Sequence, residues 1–128
     1  MSKTIQVLVV EPGKRPYIKE IVGSLASLQQ EVGGYIQAVY PFDDPVGLIC
    51  NEEGKLLNLS LNRALWTEDG EIYDILAGTF LVVGLGEEDF ASLPDTLAEK
   101  YTEHFRLPET FVRINGHVCA IQQEHYGE

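Results

Sequence analysis

The sequence predicts an α+β domain: a mainly antiparallel β-sheet with two principal helices packed on one face. Three observations lead there. The 128 residues are 45 % hydrophobic and 23 % charged, the size and make-up of a single globular domain that buries its own core. Alternating, β-branched runs bounded by glycine, proline or asparagine outnumber helical ones. The elements read β-α-β-β-β-β-α-β-β, an order in which strands follow strands instead of alternating with helices as a doubly wound parallel sheet requires.

Residues 4–11, TIQVLVVE, alternate with apolar residues on both sides: Ile5, Val7 and Val9 one way, Leu8 and Val10 the other. A strand with two apolar faces belongs in the middle of a sheet. PGKRP breaks the chain. A helix is then expected from about Pro16 to Val32, because Tyr17, Ile21, Leu25, Leu28 and Val32 recur at spacings of three and four. Pro16 suits a first helical turn, and Gly33-Gly34 a C-terminus.

YIQAVYP and VGLICN read as strands around the loop PFDDP. NEEG reads as a turn made by Asn51 and Gly54, with Glu52 and Glu53 solvated, leading into KLLNLSL as the partner of GLICN in a hairpin. EIYDILAGTFLVVG holds a further buried strand. EEDFASLPDTLAEKYTEHF is expected to be helical, with Leu97, Tyr101 and Phe105 on one side and Ser92–Asp95 as a capping pair. TFVRINGHVCAIQ, within 111–122, is a hairpin about Asn-Gly. That register sets Ile114 opposite His117 and Val112 opposite Cys119, and gives a core face of Val112, Ile114, His117, Cys119 and Ile121.

The net charge is −11, and it is uneven. Residues 1–64 carry six Lys/Arg against seven Asp/Glu, and residues 65–128 three against thirteen. Such a surface disfavours nucleic acid, whose affinity rests on basic patches, and favours solubility and a basic protein partner. The candidate partner-facing acids are Glu87, Glu88, Asp89, Asp95, Glu99 and Glu103. The opening residues lack a signal-peptide pattern, and ILAGTFLVVGLG is too short to span a bilayer. A cytoplasmic protein with reduced thiols and no membrane contact is therefore expected.

No catalytic set is expected. There is no G-x-S-x-G elbow, His104 lies in an acidic helix and His125 near the end of the chain, and Glu52-Glu53 and Asp43-Asp44 read as turn residues. Cys50, Cys119 and His117 lack the closely spaced pairs of a zinc site and read as core residues, so no metal or cofactor is expected. VVGLGEEDF echoes a dinucleotide loop, but Glu87, Glu88 and Asp89 at the expected helix start would repel a phosphate. The loop Gly13, Lys14, Arg15 with Lys19 just beyond it is the one local excess of positive charge and a candidate site for a small anion or nucleotide. Asn62 and Arg63, between Leu61 and Trp66, join that set. An arginine in such a place either satisfies its donors on the backbone or grips an anion.

NEEGK, NRAL and AGTFL, within a succession running from about residue 4 to 106, resemble an uncharacterised bacterial and phage family classed only as a domain of unknown function. The resemblance implies a setting among the accessory genes of conjugative elements and phages, where small acidic proteins without enzyme motifs often inhibit host defence. It implies no activity, cofactor or catalytic residue. The C-terminal hairpin lies outside the resemblance.

Overall fold

The computed structural model describes residues 3–123, so His125 lies outside it. Its centre is an antiparallel sheet of strands β1 (Thr4–Val10), β2 (Tyr17–Val22), β3 (Ile36–Val39), β4 (Val46–Asn51), β7 (Phe80–Leu85) and β8 (Phe90–Ala91). The order is β2-β1-β7-β4-β3, with β8 paired to β7. Strands β5 (Leu61–Trp66) and β6 (Ile72–Ala77) form a separate two-stranded sheet, as do β9 (Glu109–Ile114) and β10 (His117–Gln122). The helices are α1 (Leu25–Val32) and α2 (Asp95–His104).

The α+β class and the antiparallel sheet agree with expectation, but the helices cover opposite faces rather than one. Ile5, Val7 and Val9 pack with Leu28 and Val32 of α1. Leu8 and Val10 pack with Ala98 and Tyr101 of α2, together with Leu65, Leu76 and Phe80. The two apolar faces of β1 thus feed two cores. Each buried Val, Leu or Ile contributes about 1.5–3 kcal/mol, which is why β1, β4 and β7 are apolar on both sides.

The helix expected over 16–32 is instead a strand, a break and a short helix. Residues 17–22 pair with β1 from Tyr17–Val9 to Val22–Thr4. Gly23 breaks the chain, and Ser24 caps α1 by accepting from the Ser27 N–H. Pro16 therefore precedes a strand. Gly33 does end the helix, at φ 79°, the left-handed conformation open to glycine. The helical spacing of Ile21, Leu28 and Val32 was real burial, since all three reach one core, but from two elements.

The hairpin expected between GLICN and KLLNL does not form. Both edges of β4 are taken, by β3 and β7. Residues 53–59 coil into turns, with Leu57 N–H donating to Glu53 O and Leu59 N–H to Gly54 O, and the next strand begins at Leu61. Gly54 is required there, because a Cβ would stand 2.8 Å from the Ala77 carbonyl oxygen. The IYDILAGTFLVVG strand is two strands, turned about Gly78 at φ 79°.

The helix expected from Glu87 begins only at Asp95. Glu87, Glu88 and Asp89 occupy the turn joining β7 to β8, closed by Gly86 N–H on Asp89 O, not a helix N-terminus. Pro94 is the N-cap and makes no side-chain cap bond, while Ser92 accepts from the Gln6 N–H. The Asn-Gly hairpin has the expected register, with Ile114 opposite His117 and Val112 opposite Cys119. It does not join the main sheet, so its expected core face is lost: Ile114, His117 and Ile121 are exposed, and Val112 and Cys119 only partly covered.

Candidate functional site

Arg63 and Asn62 form the polar centre of the molecule. Both side chains are fully buried. Strand β5 aims them inward, between the β1–β2 loop and the end of α2. The Arg63 guanidinium donates to two distant segments and to its neighbour on β5. Nε and Nη2 reach the Phe105 carbonyl at 3.1 and 2.8 Å, Nη2 reaches the Lys14 carbonyl at 2.7 Å, and Nη1 reaches Asn62 Oδ1 at 2.8 Å. The Asn62 amide donates to Val10 O and Gly78 O, both at 2.8 Å. The planar, many-donor guanidinium is suited to collecting carbonyls in this way. Of the two readings open to Arg63, the geometry matches the backbone clamp.

Next to it, Glu109 accepts from the Ala64 N–H at 2.9 Å. Burial raises its carboxyl above the ordinary range, against the pull of the Ala64 bond and the nearby Arg63 charge. The hairpin is tied to β5 through this carboxylate.

The other residues of the expected anion site do not converge on Arg63. Gly13 turns the loop at φ 73°. The Lys14 ammonium lies 3.7 Å from Glu11, and that of Lys19 lies 2.9 Å from Glu31 of the neighbouring helix α1. Arg15 is exposed. The guanidinium meets the Lys14 carbonyl, while the Lys14 ammonium lies beside Glu11.

The acidic residues divide into two places. Glu87, Glu88 and Asp89 project from the β7–β8 turn beside a cavity of about 730 Å³ that also includes Lys3, Thr4 and Gly23. Asp95, Glu99 and Glu103 recur every four residues and share one stripe of α2. With Ile18, Ala98 and Thr102 they line a groove of about 380 Å³ between α2 and the edge strand β2. Ile18 is 44 % exposed. Asp95 accepts from Gln6 at 3.0 Å, and Glu103 pairs with Arg106 at 3.3 Å.

Two features escaped the sequence reading. Asp44, taken for a solvated turn residue, accepts from Tyr101 Oη at 2.7 Å and from Lys100. These bonds hold its carboxyl below the ordinary range and pin the 41–45 loop to α2. The second is a recess around Trp66, walled by Phe42, Asp43, Glu68, Tyr73 and His104. Its one sequence signal was a tryptophan at the end of a strand, just before the polar turn TEDG.

Cys50 lies buried in β4, its thiol pushed up chiefly by burial, while Cys119 is in the separate hairpin. Among the described residues no group of three or more His, Cys, Asp or Glu is placed to hold a metal, and no helix is long and apolar enough to cross a membrane.

No curated protein and no solved structure matches the chain. Residues 5–106 match the family described as Domain of unknown function (DUF3846), a span that runs from β1 through α2 and contains the Asn62–Arg63 clamp, its Lys14 and Phe105 carbonyl partners and the acidic groove, but stops short of the terminal hairpin. The chain belongs to the DUF3846 family.

Proposed function

We propose that this protein is a non-enzymatic accessory factor of a phage or mobile genetic element that acts by binding a basic protein, as an inhibitor of host defence. The observation that carries the binding reading is the α2–β2 groove. An apolar floor of Ile18 and Ala98 is bordered by the Asp95, Glu99 and Glu103 stripe, so a basic amphipathic segment would find both burial and opposite charge. The −11 net charge of the chain would speed such an encounter. Titrating the protein against purified restriction and CRISPR components at low and physiological salt tests it. Binding that weakens with salt and with Glu99→Lys supports the reading; no binding even at low salt removes it.

A second reading places a small anion or nucleotide at the Gly13–Arg15 loop. The bond from Arg63 to the Lys14 carbonyl supports it, because it fixes the loop from below. A nucleotide present at a hundred times its dissociation constant would stabilise the fold by about 2.7 kcal/mol. A thermal-shift screen of mono-, di- and cyclic nucleotides without any shift would end this reading.

A further inference from the structure

We propose that the recess between the Pro41–Asp43 loop, the end of α2 and the β5–β6 hairpin is a socket for an arginine side chain presented by a basic protein partner. The proposal deepens the reading above and rests on it, since it names the partner's side chain and where it seats. The recess encloses about 360 Å³, and its walls include Phe42, Asp43, Trp66, Glu68, Tyr73 and His104. That is at the small end of ligand cavities, room for one extended side chain. Trp66, Tyr73 and Phe42 supply aromatic walls, Asp43 and Glu68 supply carboxylates, and among the described residues no lysine or arginine lines it.

A guanidinium uses both kinds of wall at once. Its plane stacks on an indole or phenol, and its edge donates to carboxylates. An ammonium is a compact, strongly hydrated charge and satisfies only part of this. His104 adds no competing charge at neutral pH, because burial and the Lys100 ammonium hold it below its usual range near 6.5. The wall is braced before any ligand arrives. The Phe42 ring sits 4.8 Å from that of Tyr101 and 5.2 Å from His104, and Asp44 anchors the same loop to Tyr101. Such preorganisation reduces the ordering cost of binding.

Trp66, 41 % exposed, also lines a second cavity of about 660 Å³ with Glu71 and residues 117–120 of the terminal hairpin. Trp66 is thus a wall common to both cavities.

Trp66 is the one tryptophan in the chain, so its fluorescence reports on the recess directly. The full chain is titrated with nona-arginine and with nona-lysine, which carry equal charge. The expected result is a change in Trp66 emission on binding, with nona-arginine about tenfold tighter than nona-lysine. Glu68→Gln, in an exposed turn, removes most of that preference while leaving the circular dichroism unchanged. Glu99→Gln on α2 weakens both peptides alike and leaves the preference intact. Equal affinity for the two peptides, binding that leaves Trp66 silent, or a preference unchanged by Glu68→Gln overturns the socket while the acidic-groove reading stands. Failure of both peptides to bind at low salt overturns both.

Discussion

Replacing Arg63 with methionine tests whether the buried guanidinium holds the fold together. Methionine keeps much of the length and apolar volume, so the cavity is small, but the guanidinium's acceptors lose their donor, Phe105 O, Lys14 O and Asn62 Oδ1 at the shortest distances among them. An abandoned buried acceptor costs about 1–3 kcal/mol, or about 3–9 for three. Removing a buried charge returns about 1–4 kcal/mol of desolvation. Taking the middle of each range, the net loss expected for Arg63→Met is about 3.5 kcal/mol, a large part of the roughly 5–15 kcal/mol that holds a domain of this size. Arg63→Lys should lose less, because one ammonium still reaches one carbonyl. Urea unfolding followed by circular dichroism and Trp66 emission measures both. An unfolding free energy within about 0.5 kcal/mol of the parent for Arg63→Met, the scatter of neutral surface changes, would refute the clamp.

Further outcomes follow from the same structure. Glu109 and Asp44 should give pH dependences of opposite sign. Glu109 has its folded pKa raised above the usual 4.5, so its penalty is present at neutral pH and fades as pH falls through the folded value towards 4.5. Asp44 has its folded pKa lowered below 3.8, so its contribution is full above 3.8 and is lost as pH falls through the folded value. Glu109→Gln should therefore be more stable than the parent at neutral pH and lose that advantage as pH falls towards 4.5, whereas Asp44→Asn should be less stable at neutral pH and its deficit should shrink as pH falls below 3.8, both read by urea unfolding across a pH series. Gly84→Ala should destabilise by about 1–3 kcal/mol, because its Cβ would run into the Ser92 carbonyl oxygen; a thermal melt with an unchanged midpoint would contradict this. Of the two free thiols, Cys119 should react first with a disulfide reagent in the native state, since Cys50 is buried and its thiol is pushed up.

The amino-acid sequence by itself determined the class of the fold and several of its local parts. β-Branched alternation marked β1 as a strand with two buried faces, Gly33 marked the end of α1, and Asn115-Gly116 set the register of the last hairpin. These are short-range signals, carried by backbone preference and the period of burial. Residues 17–22 show where such signals fail. Tyr17 and Ile21 have helical spacing with Leu28, yet Gly23 and Ser24 break the run and β1 offers a partner for every residue of β2. Leu57 and Leu59 alternate like a strand but remain in turns, because both edges of β4 are already paired.

The candidate sites depended still more on tertiary structure. The sequence flagged Arg63 as an arginine set in an apolar run, but its partners are carbonyls 49 and 42 residues away, and a backbone carbonyl has no letter in a sequence. Asp44 looked like any turn aspartate until α2 brought Tyr101 and Lys100 to it. The Trp66 recess joins three distant segments, and the acidic groove joins α2 to a strand whose apolar residues have helical spacing. Local sequence carries the preferences of neighbouring residues. Which distant groups meet is decided by how the two faces of the sheet are covered, and only the folded chain records that.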